Sequence, residues 1–90
     1  MAIEFDPAKR NVTLRERGLD MARAEEIFID RHLTAQDTRM DYGEIRNVTI
    51  GFLDGRMVVT VWTPRDQMIR IISLRKANDR EQAIYAPRFR

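Results

Sequence analysis

The sequence contains no cysteine, one histidine and no apolar run approaching the roughly 18–20 residues that span a bilayer. Without cysteine it has neither a disulfide framework nor a thiolate metal site. Its His, Asp and Glu residues show no metal-ligand spacing, so no metal and no cofactor are expected. The opening MAIEFDPAKR lacks the apolar stretch of a signal peptide, and a cytoplasmic location is expected. Internal repeats, low-complexity tracts and linkers are missing too.

What is present is a chain of 90 residues, enough for one domain (1–90) with a small core. Hydrophobic residues make up 43% and charged residues 33%, a composition that folds rather than stays disordered. The net charge is only +2, but it is unevenly spread. Residues 1–63 carry nine Lys/Arg against eleven Asp/Glu, whereas residues 64–90 carry seven against three. A basic C-terminal third points to an anionic partner, and nucleic acid is the commonest.

Ile3-Glu4-Phe5 reads as a short strand. Asp6-Pro7 starts a helix, with Asp as N-cap and Pro where a missing N–H costs nothing. Gly18 ends it as a left-handed cap. A second helix is expected from Asp20, with Met21, Ala24, Ile27 and Phe28 as its apolar stripe and an end between Asp30 and Leu33. The period then changes to two. Leu33 to Asp37 is a short strand, and Thr38 to Glu44 a polar loop. Arg46 to Phe52 is a half-buried strand, and Asp54-Gly55 a hairpin turn. Arg56 to Thr63, apolar on both faces, reads as a central strand. Pro64 to Gln67 is a turn, Met68 to Arg75 a strand, and Asn78 or Asp79 caps a last helix. The order β-α-α-β-β-β-β-α predicts an α+β domain: an antiparallel sheet of four to five strands, two N-terminal helices and one C-terminal helix, with the helices on one sheet face.

Several segments resemble one family. Phe5-Asp6-Pro7-Ala8-Lys9, Leu14-Arg15 ahead of Gly18, and Ala24-Glu25-Glu26-Ile27-Phe28-Ile29-Asp30 are similar to the first half of the BrnT toxins. Asp41-Tyr42-Gly43-Glu44-Ile45-Arg46 resembles the family's Tyr-Gly-Glu-x-Arg segment. Ile69-Arg70-Ile71-Ile72-Ser73-Leu74-Arg75-Lys76-Ala77, with Arg80-Glu81 and Tyr85, resembles its ending. The resemblance runs in order over about residues 4–85. It implies a RelE-like fold and a ribonuclease that stops translation, acting as the toxin of a type II toxin–antitoxin module. It also implies a separate BrnA antitoxin, which represses transcription by binding DNA, and a complex with two copies of each protein. The RNA would be met free or on the ribosome, and DNA only through the antitoxin. Three segments depart from the family: Glu16-Arg17-Gly18 replaces a common Lys-His-Gly, Thr13 a frequent Asn, and Thr63-Pro64-Arg65 a usual Thr-Glu-Arg.

Cutting RNA without a metal needs a base for the 2′-hydroxyl, cations for the phosphorane and an acid for the leaving 5′-oxygen. The lone His32 cannot supply a two-histidine arrangement and sits in a helix-to-strand connection. The expected catalytic set is therefore Arg46, Arg70, Arg75, Lys76 and Glu44. Arg suits phosphate, being planar, bidentate and always charged. Lys76 serves as base only where burial or neighbouring cations lower its pKa, and Glu44 is the alternative base. Tyr42, Arg65 and Arg80 are the expected RNA contacts. In a regular strand Arg70 and Arg75 point to opposite faces, so a shared site needs a bulge or a strand end between them, and Arg75 lies at the strand end.

A second reading stays open, in which a diverged member binds antitoxin or RNA without catalysis. An unrelated nucleic-acid-binding regulator finds no support, since RNP aromatics, a GXXG loop and a zinc signature are all missing. The antitoxin is expected to lay acidic or apolar segments on the face that carries Arg46, Arg70 and Arg75.

Overall fold

The computed structural model describes residues 2–90. The chain runs β1 (Ala2–Phe5), α1 (Pro7–Arg17), a 3₁₀ turn (Met21–Arg23), α2 (Glu25–Ile29), β2 (Leu33–Gln36) and β3 (Asn47–Leu53). It continues with β4 (Arg56–Arg65), β5 (Met68–Lys76), α3 (Asp79–Tyr85) and a last 3₁₀ turn (Ala86–Phe89). Local chemistry sets several of these bounds. The Asp6 carboxylate accepts from the Ala8 N–H at 2.9 Å, and Gly18 ends α1 at φ 68°. Asp54 and Gly55 take φ 53° and 75°, as a type I′ hairpin requires. Asn78 and Glu81 form a reciprocal capping box at the start of α3.

The sheet order is β1-β5-β4-β3-β2, with β4 at its centre. The expected all-antiparallel sheet is corrected here: β1 pairs parallel with β5, Ala2 opposite Met68, and the sheet is mixed. Such a pairing joins the two ends of the chain and leaves no local signal. The second helix is also divided, into a 3₁₀ turn and the short α2. A 3₁₀ turn repeats every three residues, which aligns Met21, Ala24 and Ile27, all buried. Pro64 and Arg65 continue β4 rather than turn. The turn is Asp66-Gln67, at φ 51° and 65°. Pro64 is tolerated because β3 has already ended, its first pair being Asn47 with Trp62.

The helices do not share a face as expected. The first core packs Leu19, Met21, Ala24, Ile27 and Phe28 on Leu53, Val58, Ile71 and Leu74. Gly51 lets α2 approach the sheet, since a Cβ there would lie 2.7 Å from Ile27 Cγ2. The second core lies on the opposite face, where Tyr85, Ala86 and Phe89 cover Ile50, Met57, Val59 and Ala77. β4 is apolar on both sides, Met57, Val59 and Val61 on one and Val58 and Trp62 on the other, so both faces need a cover. The α3 side is covered only in part.

Candidate functional site

The partly open face is ordered by strand register. Thr63 of β4 stands opposite Arg70 of β5, which stands opposite Glu4 of β1. Further along, Val61 pairs with Ser73, and Val59 with Arg75. Cross-strand partners share a face, and Val59, Val61 and Thr63 alternate regularly along β4. Arg70 and Arg75 therefore lie on the same side. The register allows this by shifting between Val61 and Trp62: Trp62 pairs with Ile71 and Val61 with Ser73, so Ile72 is an extra residue in β5. Ile71 and Leu74, three apart, both enter the helix-side core as a result. The two arginine rungs are four β4 residues apart, about 13 Å.

At one end of this face, the Arg70 guanidinium donates to the Glu4 carboxylate, and Arg65 Nη1 lies 3.9 Å from the same oxygen. Arg46 immediately precedes β3, and continuing the register places it beside Thr63. Its guanidinium carbon lies 4.2 Å from the Tyr42 ring centroid, and its Nε is 3.4 Å from Glu44 Oε1. The Tyr42 hydroxyl donates to Asp37 Oδ2 at 3.0 Å, which fixes the ring under Arg46. Asp37 also accepts from Arg39, and those bonds hold its carboxyl far below the usual range. Glu44 and Arg65 line one recess of about 370 Å³, with Thr63 and Pro64 between them.

A longer groove of about 730 Å³ runs between β2 and α3. Val48, Ile50, Val59 and Val61 contribute to its lining together with Arg39, Arg75, Arg80 and Arg88. Arg75 is fixed by Glu81, Nη1 to Oε1 at 2.7 Å and Nη2 to Oε2 at 2.8 Å. Glu81 is in turn fixed by the capping box, accepting from the Asn78 N–H at 2.9 Å. One carboxylate thus ties the α3 cap to the arginine.

A family model described as ribonuclease toxin, BrnT, of type II toxin–antitoxin system matches residues 5–81. The chain belongs to the BrnT family. No curated protein matches it. As a BrnT toxin it belongs to a type II toxin–antitoxin system, with RNA as target and an antitoxin as partner. The matched span takes in all eight candidate residues and stops before the last 3₁₀ turn. No helix among the described residues is long and apolar enough to cross a membrane. Nor do three or more His, Cys, Asp or Glu residues gather as a metal site among them.

Not every candidate falls on one site of this BrnT chain. Arg75 and Arg80 line the groove, while Arg46, Glu44 and Tyr42 cluster at its loop end beside Arg65 and Arg70. Lys76 is elsewhere. It is exposed at the end of β5 opposite Val58, and it lines a separate recess near the β3–β4 hairpin. His32 closes the α2–β2 connection, its Nδ1 2.7 Å from the Asp30 carbonyl oxygen and its ring edge-on to Phe28. Arg17 is the last residue of α1. Its Nη1 donates to the Leu74 carbonyl at 2.9 Å, tying the end of α1 to β5. Arg39 and Arg88 were missed by sequence reasoning. Arg39 sits in a polar loop, and Arg88 follows Pro87 with no periodic pattern to place it.

The Glu81 carboxyl is held down to about 2 from an ordinary 4.5, chiefly because Arg75 donates to it, while burial pulls the other way. As pH falls, the unfolded chain takes up this proton first. The stabilisation is complete above about 4.5 and is lost as pH falls toward about 2. Glu81→Gln is expected to flatten the acid limb of stability, read as urea midpoints across that window. A wild-type slope in the variant would show that the pair contributes nothing.

Proposed function

We propose that this BrnT toxin cleaves RNA without a metal ion, on the face that carries Arg46, Arg70 and Arg75. The observation that carries the reading is the extra residue Ile72, which brings Arg70 and Arg75 to one side of the sheet. Glu44 takes the proton of the 2′-hydroxyl. The 2′-oxygen attacks the adjacent phosphorus, and the P–O5′ bond breaks. Arg46 and Arg70 stabilise the charge that builds on the phosphorane oxygens, and Arg75, about 13 Å along the face, holds a neighbouring phosphate. The leaving 5′-oxygen takes its proton from water. Tyr42, Arg65 and Arg80 hold the flanking nucleotides. Lys76 stands apart from this arrangement. The proposed setting is a RelE-like toxin domain in the cytoplasm, opposed by a BrnA-type antitoxin in a 2:2 complex.

The products would be a 2′,3′-cyclic phosphate and a 5′-hydroxyl, because the nucleophile belongs to the RNA itself. The purified chain is expected to cut RNA in excess EDTA, to leave 5′-hydroxyl ends and to spare a strand 2′-deoxygenated at the cut site. Ends bearing 5′-phosphate, or cleavage that stops in EDTA, would overturn the mechanism.

The antitoxin is proposed to cover the same face. An apolar floor beside four arginines suits a segment that alternates acidic and apolar residues. Arg46→Glu combined with Arg70→Glu is expected to weaken the complex at least tenfold by titration calorimetry. Unchanged affinity would move the partner to another surface.

A further inference from the structure

On the hairpin side of α3 lies a recess of about 490 Å³ whose cations the proposed chemistry leaves unused. Arg31, Arg56, Lys76 and Arg90 line it with Phe52 and Phe89, and no Asp or Glu contributes to its lining. Arg56, Lys76 and Arg90 make no ion pair among the described residues, unlike Arg39 and Arg75 in the groove, which Asp37 and Glu81 neutralise. Asp54, two residues before Arg56, is occupied by both terminal guanidinium nitrogens of Arg23 at 2.7 Å. Arg31 is fixed without an acid. Its guanidinium carbon lies 4.4 Å from the Phe52 ring centroid, and it donates to the Phe89 carbonyl at 3.3 Å. Phe89 meets Phe52 edge-to-face, with ring centroids 5.0 Å apart.

Four like charges gathered with no Asp or Glu among them repel one another, and a bound polyanion relieves that repulsion. Arginines match phosphate oxygens bidentately, and a guanidinium backed by an aromatic ring can stack a base on its outer side. Lys76 directly follows Arg75, so a strand held on the open face meets this recess by continuing along β5. We infer that the recess is a second RNA-binding site, which grips the phosphates of a single strand beyond the segment that is cut. The inference rests on the ribonuclease reading and adds to it a length requirement on the substrate.

The test uses the full chain and a labelled 2′-O-methyl strand of about twelve nucleotides, which cannot be cleaved by its own 2′-oxygens. Affinity is read by fluorescence anisotropy across salt concentration. Arg56→Gln combined with Lys76→Gln removes two phosphate contacts and is expected to make the slope of log K on log salt shallower by about 1.4. An unchanged thermal midpoint establishes that the variant is folded. The same slope and affinity in both proteins would overturn the proposal. So would a double variant that binds RNA normally but loses its antitoxin, since the recess would then belong to the protein partner. A wild type that binds no RNA overturns it as well. Wild-type binding with the expected slope difference, but without 5′-hydroxyl cleavage products, would sink the catalytic reading and leave this site standing.

Discussion

Arg70→Ala is expected to slow RNA cleavage by about 10²–10³-fold, the loss typical when one preorganised charge-stabilising group is removed. Arg70 is the cleanest position for the test. Its only ion-pair partner among the described residues is Glu4, each side chain being 30% exposed, and Arg65 remains near the same oxygen. A partly exposed pair of this kind contributes about 0–1 kcal/mol, so the fold should survive. Arg75→Ala would also release Glu81 from its bidentate bond, mixing catalysis with the α3 cap. Arg70→Lys keeps the charge but loses the planar fork and should recover only part of the rate. The measurement is a single-turnover rate beside a thermal melt. A rate within a few-fold of wild type would remove Arg70 from the chemistry.

The bulge makes a second, larger prediction. Inserting one alanine between Val61 and Trp62 gives Ile72 a partner and regularises the β4–β5 ladder. Between Val59 and Thr63 there are then five steps instead of four, and the strand end turns over. Arg70 would face the helices, and Trp62 and Ile71 would leave the core. Removing the half-buried Trp62 or the buried Ile71 from its packing costs about 2–5 kcal/mol each, and an unpaired buried charge adds several more. Against a total of about 5–15 kcal/mol, the variant should be unfolded or nearly so. Deleting Ile72 is the contrasting variant. It preserves every registered pair and leaves Arg70 and Arg75 four steps apart on one face. That protein should fold and retain cleavage within about tenfold, the cost being the few tenths to one kcal/mol of altered contacts. An active, stable insertion variant, or an inactive but folded deletion variant, would refute this role for the bulge.

Residues whose effect is local were legible in the sequence. Asp6-Pro7, Gly18 and Asp54-Gly55 each act on backbone groups within a few positions, and each does so in the structure, while of the two caps read for α3 it is Asn78 that serves. What the sequence hides depends on distant partners. Nothing near Ala2 announces Met68, and nothing in Arg17 announces the Leu74 carbonyl. The bulge did leave a trace. In Ile69-Arg70-Ile71-Ile72-Ser73-Leu74 the apolar alternation slips by one residue at Ile71-Ile72, which is where the register shifts. The turn was read as starting at Pro64 instead of Asp66, because the turn preference of Pro64 is overridden once the neighbouring strand has ended. Of the candidate site, the residue types were legible and their grouping was not. Lys76 and Arg75 are neighbours in sequence yet line separate recesses, one on each side of α3.

The parallel pairing of β1 with β5 bears on how the protein is made. A ribosome releases β1 first and β5 last among the strands, so the opening strand waits unpaired until residues 68–71 emerge. A chain abandoned before that point has no partner for β1, and it carries neither Arg70 nor Arg75. Interrupted synthesis therefore yields fragments without the arginine face. On the proposed reading, a copy cut short before Arg70 lacks cations that the RNA chemistry needs.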